Sequence, residues 1–142
     1  MTAPPGLAGN VNISVLSGAY GLSGTQPYQY LATPTVALLV PNTGPAAGGQ
    51  QVLITGTGFT GATDVKFGGV SAGPITVSSD LSITATAPSH AAGLVDVTVT
   101  APGGTSSTIG TQNDFTYVAA PVISSIAPSS GPAVGLNSVV IT

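Results

Sequence analysis

The most constraining feature of this sequence is an internal repeat, which indicates one structural module used in series. Nine residues recur in the same order 87 positions further along the chain: Tyr30, Pro34, Pro41, Gly44, Pro45, Gly48, Val52, Ile54 and Thr55 correspond to Tyr117, Pro121, Pro128, Gly131, Pro132, Gly135, Val139, Ile141 and Thr142. A second series recurs 84 positions further on: Thr2, Ala3, Pro4, Gly9, Val11 and Ile13 correspond to Thr86, Ala87, Pro88, Gly93, Val95 and Val97. The difference between the two spacings places one loop of unequal length before Tyr30.

These spacings divide the chain of 142 residues into three parts. Residues 34–120 form one complete repeat. Residues 1–33 correspond to the last strands of a preceding repeat, and residues 121–142 correspond to the first strands of a following one. We therefore expect tandem repeats.

The repeat alignment also bears on the two ends of the chain. Met1 corresponds to Ala85, in the middle of a predicted strand, and Thr142 stops within another. We expect these residues to be a window on a longer tandem array. Pairing of the end pieces with a neighbouring chain by strand addition is a second interpretation. It is disfavoured because the joined pieces would still lack a counterpart of about residues 56–85.

Apolar residues alternate with polar ones along most of the chain, which is typical of strands with one buried face. Val95, Val97 and Val99 alternate with Asp96, Thr98 and Thr100, and shorter runs show the same pattern. Clusters of glycine and proline separate the runs, as turns require. The sequence predicts an all-β fold, an antiparallel β-sandwich of the immunoglobulin-like kind.

The near-absence of charge excludes several classes of function. Charged residues make up 4% of the chain: the only cation is Lys66, and the acids are Asp64, Asp80, Asp96 and Asp114. One lysine cannot neutralise a run of phosphates, so nucleic acid is not an expected partner. The aspartates are too widely spaced for a calcium loop, and we expect no metal and no cofactor.

Hydropathy and cysteine content exclude two further arrangements. Proline, glycine, serine and threonine interrupt every apolar run, and no run approaches the length of about 18 residues that a membrane span needs. We therefore expect no membrane insertion. The chain contains no cysteine, so no disulfide framework can hold the fold together.

Residues 34–118 carry an ordered set of motifs that resembles the IPT/TIG domain, an immunoglobulin-like domain of plexins, some transcription factors and many bacterial surface proteins. The matching residues are Pro34, Val36, Pro41, Gly44, Pro45, Gly48, Gly49, Val52, Ile54, Gly56, Gly58, Phe59, Val65, Phe67, Gly68, Ala87, Pro88, Gly93, Val95–Val99, Gly103, Gly104, Phe115 and Tyr117. The third repeat departs from the pattern because Val134 and Leu136 flank a single glycine, Gly135.

The resemblance and the repeats together imply a non-catalytic structural or adhesive module of a surface or extracellular protein. We expect a stiff spacer with contact loops and edges, located outside a bacterial cell or on its surface. Its partners would be proteins or sister copies in a larger assembly, or surface glycans. One alternative is a virion component, such as a phage tail fibre or capsid decoration; another is an accessory domain of a larger carbohydrate-active enzyme.

The polar candidates for a site have simpler structural interpretations. We expect His90 to be a loop residue rather than a catalytic base, because its counterpart in the first part of the chain is Gly6. Asp96 and Asp114 are expected to be solvated, and Lys66 to face solvent near Asp64 or Asp80. No catalytic, metal or cofactor residue is therefore assigned.

The aromatic residues divide into predicted core rings and one predicted contact residue. Phe59, Phe67, Phe115 and Tyr117 are the large rings available to fill the space between two sheets, and Tyr28 corresponds to Phe115. Tyr20 lies in a glycine-containing loop, so we single it out as a possible contact residue.

The sheet edges form the last candidate surface. Natural edge strands commonly carry lysine or other charges that prevent further pairing, and this chain has few to place there. Lateral association with sister chains is therefore expected at the edges.

Overall fold

The computed structural model describes residues 6–14, 16–17, 21–22 and 24–142, and every helix-or-strand element within them is a β-strand. Four strands precede the central repeat: β1 (Gly9–Ile13), β2 (Leu16–Ser17), β3 (Gly21–Leu22) and β4 (Gln26–Tyr30). Strand β1 pairs with β4, and β2 pairs with β3, both antiparallel.

Ten strands form the central domain: β5 (Thr35–Val40), β6 (Thr43–Pro45), β7 (Gln51–Thr57), β8 (Asp64–Phe67), β9 (Val70–Ser71), β10 (Ile75–Ser79), β11 (Ser82–Thr86), β12 (Gly93–Ala101), β13 (Gly104–Thr105) and β14 (Asp114–Val118). They form one sheet of order β10-β11-β7-β5 and a second of order β6-β14-β12-β8-β9, with β13 also paired to β12. All pairs are antiparallel except β6 with β14. This arrangement confirms the predicted all-β sandwich.

The core between the two sheets consists of the residues that the alternation pattern predicts. Val52 and Ile54 on β7 of the first sheet and Val97 and Val99 on β12 of the second belong to one core cluster, and all four are fully buried. The four predicted rings are also buried. Phe115 packs edge-on against Phe67 and Tyr117, with ring centroids 5.1 Å and 4.9 Å apart. Such contacts add to the gain from burial alone.

Two buried polar residues, Asn113 through its main-chain carbonyl and Ser106 through its hydroxyl, complete the backbone hydrogen bonding of β12 where it changes partner. Strand β12 pairs with β14 as far as Asp96 and with β13 from Thr100 onwards. Between these points Val97 donates to the carbonyl of Asn113 (2.8 Å), and Val99 donates to the Ser106 hydroxyl (3.0 Å). Asn113 and Ser106 are buried because an unpaired backbone group in the core would be costly.

Strands β1 and β4, together called the N-terminal hairpin, pair in the same register as the corresponding strands β12 and β14 of the central domain. Gly9 is opposite Tyr30, as Gly93 is opposite Tyr117, and Val11 is opposite Tyr28, as Val95 is opposite Phe115. The shapes are alike but the surroundings differ. Tyr28, which the repeat alignment matches to a core residue, is 42% exposed, because no second sheet covers this hairpin among the residues that the structure describes.

The C-terminal hairpin comprises β15 (Ile126–Ala127) and β16 (Val140–Ile141). Its two residue pairs lie 87 positions after the pairs Leu39–Ile54 and Val40–Leu53, which join β5 to β7. Val40–Pro41 and Ala127–Pro128 are both cis peptide bonds.

One sequence departure in the third part has a visible backbone consequence. Leu136 occupies the position of Gly49, and both residues have a left-handed backbone, with φ of 69° and 88°. A side chain in that conformation costs about 1–2 kcal/mol relative to the usual right-handed region. The turn thus keeps its shape although its glycine has been replaced.

Replacing Phe115 should test the ring cluster. We expect Phe115→Ala to lower the free energy of unfolding by about 3–5 kcal/mol, because the change removes buried surface and leaves a cavity. Leu94→Ala on the neighbouring strand is the matched control: Leu94 is 65% exposed, so its loss should cost about 0.5 kcal/mol or less. Urea denaturation followed by tyrosine fluorescence measures both. Equal losses for the two variants would contradict the packing described above.

Candidate functional site

His90 has a structural role in the central domain. Its ring stacks on that of Tyr117, with centroids 5.1 Å apart and planes 22° apart, and its Nδ1 is 2.9 Å from the carbonyl of Ala91. The imidazole thus covers one face of a core ring. In the N-terminal hairpin the corresponding ring is that of Tyr30, and Gly6 lies against it. A Cβ at Gly6 would be 3.0 Å from the Tyr30 ring. The repeat therefore keeps the ring and varies what covers it.

Tyr117 ties the last strand of the sandwich to the loop that precedes β12. Its hydroxyl donates a hydrogen bond to the carbonyl of Pro88 at 2.8 Å. Burial raises the pKa of the Tyr117 phenol, since desolvation disfavours its charged form. The hydroxyl is thus held protonated as a donor and has no activated character.

Asp80 organises the loop between β7 and β8. Its carboxylate accepts hydrogen bonds from the Thr60 hydroxyl (2.9 Å), the Gly58 amide (3.2 Å) and the Thr60 amide (3.2 Å). These donors lower the pKa of the Asp80 carboxyl below its ordinary value, the Thr60 hydroxyl having the largest effect. The carboxylate is therefore engaged in holding a turn.

The other charges lie on the second sheet and form no cluster. Of the two aspartates expected near Lys66, Asp64 is its partner, with the Lys66 Nζ 3.8 Å from the carboxylate. The Ser71 hydroxyl donates to the same carboxylate at 3.1 Å. Asp96 and Asp114 are half-buried rather than fully solvated, and Asp96 accepts a 3.4 Å hydrogen bond from Asn113. Within the described ranges, no group of three or more potential metal ligands occurs.

Tyr20, the predicted contact residue, lies outside the described residues. Among the described aromatic residues, all those of the central domain are in its core, and Tyr28 of the N-terminal hairpin is exposed, with the Tyr30 ring 5.0 Å away. The outer surface of the central domain therefore has no aromatic platform in the part that the structure describes. The difference in burial between Tyr28 and Phe115 could not be predicted, because the two residues occupy equivalent positions in the repeat.

The edge strands are blunted by their geometry. In the first sheet, β5 has a bulge between Val36 and Leu38, and β10 has one between Val77 and Ser79. The edges of the second sheet are β6, three residues that include Pro45, and the two-residue strands β9 and β13. Bulges, proline and short length all hinder the addition of another strand. The scarcity of charge predicts edges that are open to further pairing. In the structure, bulges, a proline and short strands hinder that pairing in place of charges.

The outer face of the first sheet carries a small apolar patch. Leu38 and Val40 on β5 and Leu53 on β7 point away from the core and are about half exposed. Threonine surrounds them on the same face, and none of the chain's charged residues lies on the strands of this sheet.

Two open clefts flank the start of the central domain. One, of about 310 Å³, lies between residues 31–32, the β7–β8 loop and the β12–β13 turn. The other, of about 390 Å³, runs beside β5 and is lined mainly by neutral hydroxyl and amide side chains, including those of Thr35, Thr105, Ser107 and Gln112. Neither brings together an acid, a base and a nucleophile. No helix that could cross a membrane occurs in the part of the chain that the structure describes.

Acidification should reveal the contribution of Asp80. Its pKa is lowered in the fold, so the stabilisation is present at neutral pH and is lost as the pH falls below the ordinary value of 3.8 and through the folded value. We expect the stability difference between the natural chain and Asp80→Asn to shrink from about pH 6 to about pH 2. Thermal unfolding across this range measures it, with Asp114→Asn as the control. A stability difference that does not change with pH would contradict the proposed role of the Asp80 carboxylate in holding this turn.

The chain matches one protein-family model, described as the IPT/TIG domain, over residues 34–117. Among solved structures it is similar to the full extracellular region of plexin A4 in two determinations. The first is 32% identical, covers 88% of this chain and 11% of that one, and has a TM-score of 0.57. The second is 31% identical, covers 81% and 12% respectively, and has a TM-score of 0.55.

A further solved structure shows weaker similarity: SGBP-B from a complex xyloglucan utilization locus in Bacteroides uniformis. It is 23% identical, covers 73% of this chain and 29% of that chain, and has a TM-score of 0.48. The chain therefore spans less than a third of the length of each of these structures. No curated protein matches it. The family match over residues 34–117, on a two-sheet sandwich with these buried rings, shows that the chain belongs to the IPT/TIG family.

Proposed function

We propose that this chain is a non-catalytic structural segment of an extracellular or surface protein, in which successive TIG domains set reach and stiffness. The observation that carries the proposal is the coincidence of strand register. Hairpins on both sides of the central domain reproduce pairings found within it, at the offsets that the sequence repeat gives. A chain built from one repeated module extends a fixed distance per module.

The domain boundaries follow from the same observation. We propose that residues 34–120 are one domain, that residues 1–33 are the end of the domain before it, and that residues 121–142 are the start of the domain after it. The side chains support this division. Val11 and Tyr28 are exposed in the hairpin, whereas their counterparts are partly or fully buried in the central domain. Burying such a face is what the other strands of a sandwich do.

The surface of the central domain favours protein contacts over recognition of sugars. Glycan sites commonly use an exposed ring with polar groups beside it, and the rings of residues 34–120 are all in the core. The apolar patch at Leu38, Val40 and Leu53 supports a protein partner or a sister copy. Because the edges are blunted, we propose that such contacts use sheet faces and loops.

The extracellular location is supported by the similarity to the plexin A4 extracellular region, at 32% identity. The low charge also fits a role that requires neither nucleic acid nor catalysis. We propose that the protein is located on the bacterial cell surface, and a virion surface is the alternative. Immunogold labelling of cells and of phage particles distinguishes the two locations.

A hybrid chain tests the domain boundaries. Residues 34–91 joined to residues 8–33 should form a complete sandwich, because Ala8 corresponds to Ala92 at the offset of 84. We expect one cooperative unfolding transition and a buried Tyr28, measured by denaturation and by protection of the ring from iodination. The control hybrid lacks Gly9 and so moves every later side chain of β1 to the opposite face. Equal folding of the two hybrids would contradict the proposed equivalence.

The mass of the natural protein tests the array. We expect a mature species larger than 13.6 kDa, because the two flanking hairpins need further strands to complete their domains. Intact-mass spectrometry of protein from its source measures this, and negative-stain images of the same sample should show a segmented rod. A natural species of 13.6 kDa would contradict the proposal.

A further inference from the structure

We infer that two loops of the central domain form a seat for the linker that enters it, and that this seat fixes the joint between consecutive repeats. The linker is residues 31–33, between the end of β4 at Tyr30 and Pro34. The seat is the β12–β13 turn, residues 102–103, with Gly104 at the start of β13, together with Gly58 in the β7–β8 loop. The inference deepens the proposed spacer role and rests on it for its biological meaning, although the contacts can be tested separately.

The closest approach is between the backbone of the linker and Gly103. A Cβ at this position would collide with the carbonyl oxygen of Ala32, would lie 2.7 Å from its carbonyl carbon and would be 3.2 Å from the carbonyl oxygen of Leu31. Gly103 does not have the left-handed backbone that calls for glycine on conformational grounds. Glycine is needed here for space, so that the turn can lie directly against the linker.

The neighbouring contacts extend the seat along the linker. A Cβ at Gly104 would be 2.8 Å from the Thr33 methyl carbon, and one at Gly58 would be 3.2 Å from the Pro34 Cα and 3.7 Å from the Ala32 oxygen. Two loops that are far apart in sequence thus contact the same short segment.

Both ends of the linker are held as well. Tyr30 ends β4, whose pairing with β1 is antiparallel throughout, and Pro34 is fully buried at the entrance of the central domain. Proline fixes its own φ and restricts the residue before it, here Thr33. Asp80 acts as a positioning residue, because its three hydrogen bonds hold Gly58 and Thr60 in the loop that meets the linker.

The sequence repeats the linker at the next junction. Residues 118–120 separate Tyr117 from Pro121, as residues 31–33 separate Tyr30 from Pro34, and Ala119 corresponds to Ala32. Both linkers are three residues long and have alanine in the middle, and a seat of this shape requires a linker of fixed length with a small central residue. We therefore infer the same joint wherever the module is repeated in this protein.

The chain contains no cysteine, so spin labels can be placed without removing any native residue. The joint is measured with labels on Asn10→Cys in the N-terminal hairpin and Thr76→Cys in the central domain, both at exposed positions. A second pair, Thr76→Cys with Ser89→Cys, reports on the central domain alone. Pulsed electron paramagnetic resonance gives the distance distribution for each pair in the full chain.

We expect a narrow distribution across the joint in the otherwise unchanged protein. Gly103→Ala should move or widen it by at least about 3 Å, because a displacement of about 1 Å at the linker is amplified along a hairpin about 17 Å long. Gly24→Ala is the matched control, since its Cβ would meet nothing within 4 Å and it too has no left-handed backbone. The distribution within the central domain should stay unchanged in both variants.

A second pair of variants separates contact from backbone strain. Gly58 and Gly73 have nearly equal left-handed φ values of 75° and 77°. Only Gly58 lies at the end of the linker, where a Cβ would be 3.2 Å from the Pro34 Cα, whereas a Cβ at Gly73 would meet nothing within 4 Å. Gly58→Ala should therefore change the distance across the joint, and Gly73→Ala should not. Equal effects would overturn the inference.

A broad distribution across the joint before any change, or no effect of Gly103→Ala, would also overturn the seat. Failure of the spacer role gives a different result: a narrow joint with the expected response to Gly103→Ala, in a natural protein that imaging shows to be compact. The two failures are therefore distinguishable. If Gly103→Ala also alters the distance within the central domain, the Gly58 and Gly73 pair decides.

Discussion

The burial of aromatic rings between two sheets is the interaction on which the rest of this structure depends. Phe67, Phe115 and Tyr117 meet edge to face at the centre of the sandwich. They belong to two strands of the same sheet, β8 and β14, which lie on opposite sides of β12. With few charges and no disulfide, cohesion comes from apolar burial and the backbone ladders. The loops and turns that contact neighbouring segments are supported by this core.

Much of the fold could be predicted because alternation and ring content are local signals. The buried and exposed faces of β7, β11 and β12 follow the alternation of their sequences, and the four predicted core rings are buried. The family resemblance was likewise confirmed over residues 34–117. These features depend on residue type and spacing, which a single sequence displays directly.

Other features could not be predicted because they depend on which segments meet in space. The exposure of Tyr28 follows from the absence of a covering sheet in the described part of the chain, although the residue itself matches Phe115. The bulges in β5 and β10 are not marked by glycine or proline within the strands, so nothing in the alternation indicated blunted edges. Serine and asparagine are typical of exposed loops, so their sequence positions did not indicate that Ser106 and Asn113 are buried. Their burial is explained by their hydrogen bonds to β12 at the point where it changes from pairing with β14 to pairing with β13.

The contact between Gly103 and Ala32 also bears on how proteins of this kind can diversify. A turn in one module and the backbone of the segment before it share a single small volume, so neither can be altered independently of the other. Recombination that exchanges whole modules brings together turns and linkers with different histories. Such exchange leaves the joint unchanged only while every copy keeps glycine at the turn and the same number of residues in the linker. The linker, the shortest segment involved, therefore tolerates the least change in length.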